Sequence, residues 1–542
     1  MTLEKENRAK NYFLLISGGF LFFAITVFAY LSYCSFPSSD DFIMANDTKN
    51  GFFWCINYWL GFWLSAWFTV ALEVSIPLAF GYYDYGIYFF VFLIISQLLA
   101  LFAFFISFFK EKKIALACAF LMLMVFLLYT CNFGEIYYWN IGALAYTFPF
   151  ACLLAFIALH RFSEKNLART QPGKEKYFIV VFLATLAITL LFIWKLKRIP
   201  ATIRILDTLF PPDSIYFLWL GLIIILGVLI FLSSSFFYLN HLVLGIGAFL
   251  IAGSGPQIAL MANIYFFFSF LYILLIEKKV NKSGIYSAII LMIFTLIMLK
   301  LPGTSNRMNL THQNTIKDLN FLLNGNIVLL NTHFNSEFKW LSYLLIFLSG
   351  SFVNFKFKID YDKIKYFLST LLLFLIIHLF SIVLYYFSNG HFPLRLSSNF
   401  IFIYYILFFG LGITLPKYLY FLNLTTIKFL FFIFTVLLIL NILSSNLKNG
   451  VEAIYSGEAK MFRKFKLREF RIIKNCEKDT CIIPYKNFNI PLIPNQEFIF
   501  PNEKGFVVSH KIFISRFFKK EYIRYDPATL PKNFDIETYR KY

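Results

Sequence analysis

Charge is scarce in this chain, and what there is leans one way. Only 14% of the 542 residues are Asp, Glu, Lys or Arg, against roughly 25% in soluble globular proteins. Acids are the scarcer sign: 29 Asp and Glu stand against 49 Lys and Arg, a net charge of +20. That deficit excludes an ordinary soluble enzyme. No nucleic-acid motif accompanies the positive charge, which falls in loops and in the tail, where it suits anionic lipid headgroups and membrane orientation. The N-terminus lacks the small-residue cleavage site of a signal peptide, so its apolar run reads as a first membrane span. Internal repeats of the transporter kind are missing. His312, His333 and His391 lack metal-ligand spacing. Cysteine is thin, with 7 in the chain. Five lie in or beside apolar runs; Cys476 and Cys481 lie in a polar tail. They are bridged if that tail sits in an oxidising compartment and are two free thiols otherwise.

What the chain has is hydrocarbon. Hydrophobic residues make up 59% and aromatics 21%, with 73 Phe and 33 Tyr. Mean hydropathy is +0.69. Apolar runs of about 17–24 residues recur, which predicts an all-α polytopic membrane protein with about thirteen spans, between 11 and 14. They are placed at 11–33, 85–109, 113–131, 141–160, 177–194, 215–232, 236–254, 258–276, 284–300, 339–355, 366–388, 397–415 and 427–444. Residues 52–80 are ambiguous. They are apolar enough to span, but four Trp, Glu73 and Pro77 point to an interfacial or re-entrant element.

Lys and Arg gather at 110–113, 160–177, 277–283 and 356–365. With a cytoplasmic N-terminus and 52–80 not crossing, all four loops face the cytoplasm, as the positive-inside rule asks. The 195–214 loop, with Lys195, Lys197, Arg198 and Arg204, goes against it. Residues 1–444 then form the membrane domain. Residues 445–542 form a small extracytoplasmic α+β domain carrying 19 Lys and Arg and 11 Asp and Glu. The topology places Asp40-Asp41, the loop around Glu135, Ser254-Gly255-Pro256, the 301–338 loop, the Gly390–Arg395 loop and the tail on one face.

Four short stretches there can carry chemistry. Asp40-Asp41 follows the first span; a carboxylate at that place can take a proton from a hydroxyl or stay a wet loop. In an extended segment the two side chains point opposite ways, and mutual repulsion raises one pKa. The second stretch runs from Glu135 through Tyr137-Tyr138-Trp139-Asn140-Ile141-Gly142 to Tyr146. Its rings offer a flat apolar surface for a sugar or a lipid chain, or an aromatic belt. The third is Pro302-Gly303-Thr304-Ser305-Asn306-Arg307 and the fourth His391-Phe392-Pro393-Leu394-Arg395. Their arginines grip a phosphate bidentately or snorkel to headgroups.

In this order, SSDDF, YWNIGALAY, LPGTSNR and FPLR resemble motifs of the GT-C type of integral-membrane glycosyltransferases, in particular a bacterial subgroup. The similarity covers roughly residues 10–415. It implies transfer of a hexosyl or pentosyl unit from a polyprenyl-phosphate carrier to a cell-envelope glycan or lipid acceptor, on the periplasmic face of a bacterial inner membrane. It implies one of Asp40 and Asp41 as catalytic base; position alone, deeper into the outer loop, puts Asp41 ahead. Arg307 and Arg395 would hold the lipid phosphate, with Glu135, Tyr138, Trp139, Tyr146 and Asn306 as further substrate-binding residues. No nucleotide cofactor is implied, and a divalent cation on Asp40/Asp41 is an option. One departure is Gly61-Phe62, where the resemblance leads one to expect Gly-Arg; Arg204 and Lys300 are alternative cations. The rivals are a lipid-linked sugar flippase or transporter, a polysaccharide polymerase or ligase, and an inactive scaffold. Uncharged spans with charges at their ends disfavour the flippase.

Overall fold

The computed structural model describes residues 3–62, 65–109, 111–130, 133–167, 237–272, 282–303, 339–357, 394–414 and 445–484, with short pieces at 306, 324, 327, 429, 432–433, 435–437, 439–440, 492–493, 499–502, 505–508, 514, 516–520 and 522–525. Among the described residues, four helices are long and apolar enough to cross a membrane: Asn11–Cys34, Gly86–Phe108, Lys112–Tyr129 and Asn140–Ser163. Four shorter apolar helices join them: His241–Ala252, Ile285–Lys300, Trp340–Val353 and Ser398–Ile413. The predicted spans 177–194, 215–232 and 366–388 lie outside the described residues, and 427–444 is described only in part.

In chain order the bundle helices are α1 (Leu3–Cys34), α5 (Gly86–Phe108), α6 (Lys112–Tyr129), α7 (Phe148–Leu167), α8 (Phe237–Ala252), α9 (Pro256–Tyr272), α10 (Lys282–Lys300), α11 (Lys339–Phe357) and α12 (Leu394–Thr414). Between α1 and α5 lie three short helices, α2 (Ser39–Thr48), α3 (Phe52–Phe62) and α4 (Trp67–Glu73). At about 1.5 Å per residue, α3 is roughly 16 Å long, half of a hydrocarbon core of about 30 Å. Neither α3 nor α4 is long enough to cross alone, and the ambiguous stretch is two short helices rather than one span.

Helix directions follow from contacts at the two ends. At the far end, Lys113 Nζ donates to Asn11 Oδ1 at 2.9 Å, and the Arg161 guanidinium lies 3.9 Å over the Phe108 ring. At the near end, Ser32 Oγ donates to the Gly86 carbonyl at 2.7 Å. Thus α1 and α6 run one way, α5 and α7 the other. Helix α8 ends at the near end, where the Gly253 carbonyl accepts from the Phe68 and Thr69 N–H groups. Helix α9 starts there, and α10 ends there with the Leu301 carbonyl accepting from Ser65 Oγ.

Helices α11 and α12 run parallel. Tyr343 meets Tyr405 with ring centroids 4.9 Å apart, and a turn or two further on Gly350 lies against Phe409. Phe402 meets Phe126 near one end and Phe409 meets Phe105 near the other, so both helices lead away from the near end. Close approach here depends on missing side chains. A β-carbon on Gly350 would strike the Phe409 carbonyl, and one on Gly412 would strike that of Phe347. Small residues let helix backbones meet where lipid supplies no hydrophobic drive.

The tail holds α13 (Asn446–Tyr455), α14 (Glu458–Asn475) and strands β1 (Thr480–Ile483), β2 (Ile499–Asn502), β3 (Gly505–Val508) and β4 (Tyr522–Tyr525). Strands β1 and β4 pair in parallel, Cys481 opposite Ile523; β2 and β3 form an antiparallel hairpin, Phe500 opposite Val507. Cys476 and Cys481 are disulfide-bonded, Cα atoms 6.0 Å apart. Gly457, at φ 75°, makes the left-handed turn between α13 and α14, a conformation side chains with a β-carbon resist. The boundary at 444 is not a gap in space. Gly450 packs on Val27 and Leu31 of α1, and Asn446 Nδ2 donates to the Leu127 and Thr130 carbonyls at the end of α6.

Candidate functional site

The near end is built around Asp41. The residue is the third of α2, and its Oδ2 accepts from the Ser38 N–H at 2.7 Å. That is the reach-back half of a capping box, and an acid in a first turn also meets the positive end of the helix dipole. The same Oδ2 accepts from Asn140 Nδ2 at 3.1 Å, and Oδ1 accepts from the Ile141 N–H at 3.0 Å. Asn140 Nδ2 further donates to the Tyr85 hydroxyl at 2.7 Å. Residues about a hundred positions apart are thereby joined, and SSDDF and YWNIG form one structure.

Two expectations about the acidic pair are corrected. The pair is not extended: both residues sit in the first turn of α2, so their side chains diverge by about 100° rather than 180°. Asp41 is 0% exposed, while Asp40 is partly exposed. The Asp41 carboxyl is indeed pushed up, to about 7, but chiefly by burial. The three N–H donors hold it back, and the charge on Asp40 is the smallest contribution. With both oxygens of Asp41 occupied by those donors, the pair does not present two free carboxylates to a cation. Among the described residues no group of three or more His, Cys, Asp and Glu is arranged to hold a metal.

Asn140 is presented by an unusual backbone. Residues Gly134–Tyr138 and Ala143–Thr147 form wide π-helical turns on either side of it; the Trp139 N–H reaches the Gly134 carbonyl at 2.9 Å. Such turns recur at functional sites because they re-aim side chains. Gly142 is required there, since a β-carbon would collide with the Glu135 carbonyl and the Trp139 indole. Tyr138 is buried and its hydroxyl donates to the Phe28 carbonyl at 2.9 Å, which makes it a strut and not an open stacking surface. Tyr137 is likewise spent on Gln97, at 2.8 Å. Glu135, Trp139 and Tyr146 are partly exposed at this end.

The remaining predicted residues divide. Asn306 is exposed, and its Nδ2 donates to the Gly61 carbonyl at 3.0 Å. This brings LPGTSNR to α3, at the position where the resemblance leads one to expect Gly-Arg. Arg395 lies in the first turn of α12, whose start is at the near end. Arg307, Arg204 and His391 lie outside the described residues. Four of the predicted polar stretches therefore reach one end of the bundle: Asp40-Asp41, the Asn140 segment, Asn306 and the helix that carries Arg395 in its first turn. The Ser254 turn joins them, its carbonyl accepting from Thr69 Oγ1 at 3.0 Å.

Sequence reasoning missed three residues that shape the site. Tyr85 had no local signal. Asp47 accepts from Trp59 Nε1 at 3.1 Å, tying α2 to α3. Arg463 of α14 makes a two-point contact with Asp84, at 2.8 and 2.6 Å, donates to the Tyr33 carbonyl and stacks 3.6 Å over the Tyr33 ring. Phe42 of the SSDDF stretch is fully buried and packs against Phe470 and Phe517 of the tail. Searches against protein-family models, curated proteins and solved structures give no match to this chain.

Proposed function

We propose that the chain is a membrane glycosyltransferase that moves a sugar from a polyprenyl-phosphate carrier to a glycan or lipid acceptor. The observation that supports this best is the union of the acidic pair with the Asn140 segment at the end of the bundle that also receives Asn306 and the start of α12. In this reading the two carboxylates divide the work. Asp40, partly exposed, takes the proton from the acceptor hydroxyl. Asp41, buried and held by three donors, positions Asp40 and the first turn of α2. The acceptor oxygen forms its bond to the anomeric carbon as the bond from that carbon to the phosphate oxygen breaks. The departing phosphate keeps the electron pair, and Arg395 and Arg307 balance its charge. Glu135, Trp139 and Tyr146 border the sugar, and Tyr138 fixes the segment that carries them.

The full reading has about thirteen spans, a cytoplasmic N-terminus and a site on the extracytoplasmic face of a bacterial inner membrane. The Cys476–Cys481 bridge supports that orientation, because the tail packs at the site end and disulfides persist in oxidising compartments. The test is reconstitution of the full chain in liposomes with a radiolabelled polyprenyl-phosphate sugar and a cell-envelope lipid extract. Label should move to the acceptor with release of polyprenyl phosphate, and nucleotide sugars should not replace the donor. Movement of intact donor between leaflets without loss of its sugar would establish a flippase instead.

A further inference from the structure

Helix α14 presents a surface that glycosyl transfer does not use. Its buried side carries Phe462, Phe470 and Ile473, and the two rings pack against Phe36 and Phe42 near the acidic pair. Its exposed residues include Lys460, Lys464, Arg468, Arg471 and Lys474. At about 100° per residue, these five fall within an arc of about 120°. No carboxylate pairs with any of them among the described residues. The two acids of the helix lie elsewhere: Glu458 stands at its N-terminus, and Glu469 is buried and bonded to Lys466 at 3.2 Å. Exposed Glu477 and Asp479 follow beyond the C-terminal end and close the cationic stripe there.

Position says what this stripe meets. Arg463 binds the Tyr33 carbonyl in the last turn of the Asn11–Cys34 span, and Gly450 packs on Leu31 and Val27, within the two turns before it. The elbow between α13 and α14 is therefore held where α1 leaves the hydrocarbon. Exposed apolar side chains crowd that elbow: Val451 at 41%, Tyr455 at 93% and Met461 at 45%. Cations beside exposed apolar groups are the pattern of a helix lying in a membrane interface, apolar groups at the acyl boundary and ammonium and guanidinium groups at the phosphates. A soluble polyanion would satisfy the charge but would leave Tyr455 and Met461 without a reason.

We infer that the α13–α14 elbow and the basic face of α14 dock on anionic lipid headgroups of the leaflet at the site end, clamping the tail to the bilayer. The inference needs only a membrane-embedded bundle and stands apart from the glycosyl-transfer reading. The test is lysine footprinting of the full chain in nanodiscs of phosphatidylcholine, with and without phosphatidylglycerol. Acetylation of Lys460, Lys464 and Lys474 should slow at least about threefold with phosphatidylglycerol and recover at 1 M salt, since screening there acts within about 3 Å. Equal rates in the two lipids, or slowing that 1 M salt does not relieve, would overturn it. Slowing by inorganic polyphosphate in phosphatidylcholine discs, with none from phosphatidylglycerol, would assign the stripe to a soluble polyanion and also overturn it.

Discussion

Residues 35–85 lie at the near end of the bundle and the pair α11–α12 runs along it, and different forces hold the two. The first region is short helices and turns whose polar groups reach distant partners: Asp41 to Asn140 and Ile141, Asp47 to Trp59, Thr69 to Ser254, Asp84 to Arg463. The second is two long apolar helices whose glycines let backbone touch backbone. Hydrogen bonds are directional and fix where particular atoms sit; close packing is indifferent to chemistry and fixes only distance. Spending directional bonds on residues 35–85 makes sense if one side chain there must be placed accurately, and Asp40 is the side chain that the placement leaves accessible.

The comparison breaks most directly at Asp41. Asp41→Ala leaves the Ser38 and Ile141 N–H groups without their acceptor and the Asn140 amide with the Tyr85 hydroxyl alone, at about 1–3 kcal/mol for each donor lost. A loss on the order of 3–5 kcal/mol is expected, measured by thermal unfolding in detergent. A melting temperature within a degree of wild type would mean that the polar ties are incidental. The carboxyl also gives a pH signature. Its folded pKa, near 7, lies above the ordinary 3.8. The folded chain therefore holds a proton that the unfolded chain has released between those values. Its stabilising share is complete below about pH 4 and is lost as pH rises through about 7. Relative to Asp41→Asn, wild type should melt progressively lower from pH 4 to pH 8; a constant difference would contradict the buried environment.

In the α11–α12 pair, Gly412→Val should cost about 1–3 kcal/mol or more, because the added carbons meet the Phe347 backbone rather than a movable side chain. The effect should appear as lower stability with unchanged pH dependence, which sharpens the contrast with Asp41. A smaller effect is expected at the tail. Arg463→Lys loses the two-point contact with Asp84 and the stacking on Tyr33, about 1 kcal/mol for a pair open to solvent on the Asp84 side. Limited proteolysis should release the tail faster, and an unchanged rate would show that the aromatic contacts of Phe462 and Phe470 suffice alone.

The bundle was legible because hydrophobicity is a local property. The Asn11–Cys34 and Gly86–Phe108 spans can be read within a few residues, and the alternation of helix directions follows from counting them. Residues 52–80 were not legible, since hydropathy registers Trp54 to Trp67 as apolar without saying that the helix breaks after Phe62. Asp41 and Asp40 look alike in sequence; only the partner near residue 140 buries one of them. The π-helical turns about Asn140 depend on the collision that Gly142 avoids, which no spacing rule announces. The docking of α14 needed one arginine, Arg463, to be told apart from six other basic residues on the same helix.

The division between the two carboxylates is tested most directly by measuring transfer rate and melting temperature together for Asp40→Asn and Asp41→Asn in the same membranes. Asp40→Asn should keep the wild-type melting temperature and lose about 10²- to 10⁴-fold in rate with donor binding retained. Asp41→Asn should lower the melting temperature at acid pH as well as the rate. Full turnover by Asp40→Asn, with activity lost only through Asp41, would contradict the assignment of Asp40 as the base.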